Sequence, residues 1–95
     1  KGGVTSKNEK IRKNLEYIIW RRAVFSRDNW TCQKCDVRGE KIHSHHIHNF
    51  ADFDNLRISI DNGITLCKNC HKNFHGIYGT KNTTKSKLQK FLKNI

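Results

Sequence analysis

Two Cys-x-x-Cys pairs, Cys32-Gln33-Lys34-Cys35 and Cys67-Lys68-Asn69-Cys70, bracket 31 residues in the middle of the chain. No other feature limits the fold as much. A chain of 95 residues with 35% apolar content buries little core and needs a cross-link or a metal to hold it. The four cysteines could supply two disulfides or one metal site. Paired knuckles suit tetrahedral thiolate coordination, one sulfur pair from each turn, so a structural Zn²⁺ on Cys32, Cys35, Cys67 and Cys70 is expected. The interval between the knuckles exceeds that of a simple zinc ribbon, and a structured insertion is expected to fill it.

Charge narrows the function classes. The 19 Lys and Arg outnumber the 8 Asp and Glu, which gives a formal net charge of +11. Such a balance points to a polyanionic partner, above all nucleic acid. Mean hydropathy is −0.82, and the longest apolar cluster is Tyr17 to Trp20, far short of a membrane span. No signal peptide is visible, so a reducing, cytoplasmic setting is expected, in which thiols bind metal rather than pair. The chain contains no Met and begins Lys1-Gly2-Gly3, so further residues are expected upstream.

Along the chain, residues 1–7 read as a linker stub and 8–95 as one domain. Ser6-x-x-Glu9 matches a capping box, and Ile11, Leu15, Ile18 and Ile19 then recur at helical spacing up to a stop at Asp28-Asn29. A strand is expected over 42–47 and an irregular loop over 48–57, where Asn49, Asp52, Asp54 and Asn55 fall. A return strand is expected to begin within Leu56–Ile60, turn at Asp61-Asn62-Gly63 and run extended through Ile64-Thr65-Leu66. A helix follows from Lys68 to about Ile77, closed at Gly76 or Gly79. Thr83 or Thr84 caps a last helix over about 84–94, with Leu88, Phe91, Leu92 and Ile95 as its apolar stripe. Trp20 and Trp30 are expected in the core or against a knuckle.

All six histidines lie between Lys41 and Gly76. His71 and His75, four apart on the expected helix, project from one face and can reach a single ion. His43-Ser44-His45-His46-Ile47-His48 supplies the other four, of which His43 and His48 are expected to be exposed or to support the ligands rather than bind.

His45-His46-Ile47, then Asn62-Gly63-Ile64-Thr65-Leu66-Cys67, then Cys70-His71 together resemble the HNH endonuclease signature in its four-cysteine zinc variant. The resemblance runs from about Glu16 to Ile77, and Trp20-Arg21, Arg27-Asp28 and Asp61 to Cys67 look closest to phage-type and intron-associated members. It implies an α+β fold, a ββα-metal core over about 41–78 with flanking helices. It also implies a nuclease acting on DNA in a bacterial or phage-infected cell. By the same resemblance, His46 is the general base and His45, His71 and His75 hold a divalent cation. Asn62 either ligates that cation or orients the loop carrying His46, and the orienting role is favoured because three imidazoles already form a ligand set. Three histidines suit Zn²⁺, Ni²⁺ or Mn²⁺, whereas Mg²⁺ prefers oxygen ligands. Arg21, Arg22 and Arg57 are candidate DNA contacts, each equally readable as a solvated basic residue. A monomer with one such site would nick one strand, and double-strand cleavage would need a dimer. A homing-type enzyme is the leading expectation. The alternatives are a restriction-type nuclease with the same chemistry and a zinc module that binds nucleic acid without cutting it.

Overall fold

A computed structural model describes residues 2–39, 41–49 and 56–93, with side chains from Glu9 onward. The elements run α1 (Gly2–Arg27), β1 (Ile42–His46), a 3₁₀ turn (Ile60–Asn62), β2 (Gly63–Cys67), α2 (Lys68–Tyr78) and α3 (Lys85–Lys93). The expected α+β class holds: three helices surround a two-stranded antiparallel sheet. Asp52, Asp54, Asn55 and Ile95 lie outside the described residues. Among the described residues no helix is long and apolar enough to cross a membrane.

Three expectations need correcting. The stretch read as a linker is helical from Gly2, so Ser6 lies inside α1 rather than at its start. No proline interrupts the stretch, and extending a formed helix costs far less than nucleating one. Second, the Ile11, Leu15, Ile18 and Ile19 stripe does not face the core; these side chains are 42–67% exposed. α1 docks through its last two turns, where Trp20, Val24 and Phe25 are buried. At about 100° per residue, Trp20 and Val24 point away from the side carrying Ile11, Leu15 and Ile18. Third, no return strand starts at Leu56–Ile60. That segment is turn and 3₁₀, and the second strand is Gly63–Cys67 alone.

The docking of α1 depends on Gly63. A Cβ there would sit 2.8 Å from Trp20 Cζ2 and closer still to Val24. Any side chain at 63 would push the helix off the sheet. Polar contacts fix the same junction. Trp20 Nε1 donates to Ser59 O at 2.7 Å, and the Arg27 guanidinium donates to Ile60 O and Gly63 O. Asp28 accepts from Thr65 N at 2.9 Å and pairs with Arg27. Burial raises the Asp28 pKa, but those hydrogen bonds and the Arg27 charge outweigh it and hold the carboxylate below its ordinary range.

β1 and β2 pair without a bulge, Ile42 against Cys67 through to His46 against Gly63. β2 is buried along its whole length and passes directly into α2. Cys67 is the N-cap of α2, its sulfur accepting from Cys70 N at 3.4 Å. The second knuckle and the helix start are thus one structure. α3 closes the lower core, with Leu88 and Phe91 packing on Phe74 of α2, and Thr84 Oγ1 accepts from Lys87 N as the cap.

Candidate active site

The four cysteine sulfurs lie within 4.8 Å of one another, with Cys35 Sγ and Cys67 Sγ 3.6 Å apart. A disulfide requires about 2.05 Å. Thiolates on a tetrahedral Zn²⁺ at about 2.3 Å stand roughly 3.8 Å apart, so the spacing fits a shared metal. Backbone amides already favour the thiolate of Cys32. Cys35 N donates to Cys32 Sγ and Cys70 N to Cys67 Sγ, the amide-to-sulfur bonds of two knuckles. Burial opposes ionisation of Cys32, yet the backbone donors prevail and bring its pKa down to about 7.

The second cluster is built on β1 and α2. His45 sits next to the last residue of β1 and is 2% exposed, its ring packed edge-on to Phe74 at 4.7 Å. His71 and His75 rise from consecutive turns of α2 and meet it: one ring nitrogen from each of the three lies within 4.8 Å of the others. His71 Nε2 and His75 Nε2 are 3.0 Å apart, the spacing of adjacent nitrogens on an ion at about 2.1 Å.

The tautomers favour a cation here. His75 Nδ1 donates to the carbonyl of Gly79 at 2.8 Å, which leaves the lone pair on Nε2, facing the cluster. Gly79, at φ 77°, therefore ends α2 and orients a ligand at once. His45 Nε2 is buried and has no hydrogen-bond partner, a costly state that a metal ion would relieve. Burial, then the neighbouring His71, His75 and His46, depresses His45 to a pKa of about 3; burial, then His75 and His43, depresses His71 to about 4. Both rings are neutral donors at physiological pH. The residues present fit a divalent cation.

His43, two residues before His45 and on the same face of β1, places its Nδ1 2.8 Å from His71 Nδ1. If His71 offers Nε2 to a cation, its Nδ1 carries the proton and His43 accepts it. The sequence expectation left open whether His43 was exposed or supporting, and the structure makes it the partner of a cluster histidine. Its i, i+2 relation to His45 was the available signal.

His46 turns to the other face of the strand, toward α1. Its ring stacks on Trp20, with centroids 4.0 Å apart and planes at 10°, and Nε2 donates to Arg57 O at 2.9 Å. A carbonyl only accepts, so in the neutral ring the lone pair is on Nδ1. Burial lowers the His46 pKa against the opposing pull of that carbonyl, which keeps the ring neutral at pH 7. Although His45 and His46 point to opposite faces, β1 ends at His46, and both rings line one cavity of about 270 Å³ with Tyr17, His71 and His75. The strand's end, not a bulge, brings the two together.

Asn62 is buried, and its amide is spent on the loop. Oδ1 accepts from His48 N at 2.8 Å, while Nδ2 donates to His48 O and Leu56 O. The loop that leaves β1 is thereby tied to the segment that carries Arg57. Arg21 and Arg22 are exposed on α1 and do not line this cavity, and Trp30, expected in the core or against a knuckle, is 43% exposed and leans on Phe25.

A model of the HNH endonuclease family matches residues 32–76. No curated protein and no solved structure matches the chain. The matched span opens on the first knuckle cysteine and closes one residue after His75, so it contains both clusters, His46 and Asn62. Residues 32–76 thus form an HNH endonuclease-type domain, with its antiparallel hairpin, its helix and four clustered cysteines.

Proposed function

We propose that this protein is a metal-dependent DNA endonuclease that nicks one strand per site, with His46 as general base. The convergence of His45, His71 and His75 beside an oriented His46 carries the reading. His46 Nδ1 takes a proton from the attacking water, while Trp20 and Arg57 O hold the ring in place. Asn62 acts as a positioning residue, locking the loop between His48 and Leu56 so that the carbonyl under His46 cannot drift. A divalent cation held by the three histidines supplies neutralisation of charge on the scissile phosphate and the departing oxygen. Arg57, whose carbonyl accepts from His46, is the candidate contact to a neighbouring phosphate.

The formal charge of +11 provides affinity without base readout, and that affinity should fall steeply with salt. A zinc module that only binds nucleic acid would need the cysteine cluster and the charge, but not three converging imidazoles.

The zinc-loaded protein with Mg²⁺ or Mn²⁺ should convert supercoiled plasmid to open circle before any linear product appears. Intact supercoils across Mg²⁺, Mn²⁺, Ni²⁺ and Zn²⁺ would favour the binding module instead. A further expectation concerns His43. Replacing it with Ala should weaken cation binding at the second cluster by about 10- to 100-fold, as partners of metal-bound histidines commonly do. Titration of the zinc-loaded variant with Co²⁺, followed by its absorption bands, reads this directly. Unchanged affinity would return His43 to a bystander.

A further inference from the structure

On the other side of α1's docked end lies a groove of about 340 Å³, lined by Arg21, Arg22, Phe25, Trp30, Lys41 and Ile42. We infer that this groove binds an unpaired nucleotide of the DNA strand, its base against Trp30 and its phosphate among Arg21, Arg22 and Lys41. The inference rests on the DNA reading above but concerns a separate site.

The aromatic wall is fixed and open. Trp30 leans on the buried Phe25, with ring centroids 5.2 Å apart, yet 43% of it remains exposed. The backbone holds it there at a cost. Asn29 and Trp30 both have φ of 56°, a left-handed conformation unusual for so bulky a residue. Trp30 N donates to Phe25 O and Gly39 N to Trp30 O, and these bonds pin the turn.

The charge is complementary to a phosphate. Arg21 lies over the Phe25 ring at 4.9 Å, so its guanidinium is held at the rim of the groove. Arg21, Arg22 and Lys41 are exposed, and none forms an ion pair with a described residue. Cations interleaved with an exposed aromatic face are the elements of single-strand recognition, where stacking tolerates any base. The groove also adjoins the cutting site. Tyr17 lines the histidine cavity and Arg21 lines the groove, one helical turn apart, about 6 Å along α1. A strand following α1 meets both, so the enzyme should favour DNA that is unpaired or opened next to the scissile phosphate.

Binding is measured with the zinc-loaded protein and no added divalent cation, using a thymidine decamer and a duplex of equal length. The decamer should quench the exposed Trp30, whereas Trp20, at 2% exposure, cannot be reached. Trp30→Ala should weaken decamer binding by roughly 5- to 150-fold and lose the quenching, with a much smaller effect on the duplex. Trp30→Phe, which keeps a ring, should retain most of the affinity and guards against a folding defect. Equal losses on both probes, or less than a twofold loss on the decamer, would overturn the inference. Those outcomes would leave plasmid nicking intact, so the two readings fail separately.

Discussion

His46→Ala is expected to abolish plasmid nicking, with a loss of at least about 10²-fold, while zinc content and fold stay unchanged. The magnitude follows from the position of the ring. His46 combines a pKa lowered by burial, a fixed tautomer and an edge on the histidine cavity, and it is not one of the three clustered imidazoles. Alanine removes the proton acceptor but leaves Trp20 seated by its own hydrogen bond to Ser59 and, with Val24, against Gly63. The helix should stay docked, and circular dichroism with metal analysis checks that it does. Cation affinity at His45, His71 and His75 should also persist, because His46 faces away from them across the strand. Cleavage at the wild-type rate would sink the base assignment while sparing the metal site.

If the four cysteines hold Zn²⁺, stripping it should have the largest effect on stability. Among the described residues the buried core consists of a dozen apolar side chains, three of them cysteines of the knuckle cluster. Structural zinc sites contribute apparent binding free energies of about 10–16 kcal/mol in small domains, more than a core of this size can replace. The cluster also ties the first knuckle to the end of β2 and the start of α2, beside the hydrogen bond from Gln33 N to Thr65 O. Cys32 and Cys35 precede the sheet, whereas Cys67 ends β2 and caps α2. Without the metal, four thiols would crowd within 4.8 Å, and burial opposes ionisation of Cys70. Prolonged chelation, or Cys32→Ser at a fully buried position, should remove cooperative thermal unfolding and much of the helical signal of α2. Because α2 carries His71 and His75, cation binding should vanish along with it. A chelated protein that still melts cooperatively within a few degrees of the native one would show the zinc to be dispensable.

Much of this was legible in the residues. Two Cys-x-x-Cys pairs specify a metal by spacing alone, since each knuckle is a local turn whose amides point at its own sulfurs. His71 and His75 follow from the helical period, and the strand expected over 42–47 is observed over Ile42–His46. α1 shows where such reading stops. Ile11, Leu15 and Ile18 form a better periodic stripe than Trp20 and Val24, and periodicity cannot say which face meets the sheet. Gly63 decided that, by leaving room for Trp20 and Val24 and nothing larger. The segment 56–60 was misread for a related reason. Its apolar residues suggested a strand, but Ser59 and Ile60 carbonyls are occupied by Trp20 and Arg27, acceptors that a strand would have needed for pairing.

The sequence alone therefore supplied the two Cys-x-x-Cys pairs and the His71, His75 pair, because each lies within a single turn or on one helix face, where covalent geometry fixes the spacing. Bringing the knuckles together, and His45 to His71 and His75, took the tertiary structure. Only the tertiary structure decided which way each imidazole points and what holds it there. The carbonyls of Arg57 and Gly79, the ring of Trp20, the indole of Trp30 and the His43 contact all depend on how separate elements pack. A hydrogen bond across 28 residues, such as that between His43 and His71, has no local signature. It exists only once the sheet and α2 have met.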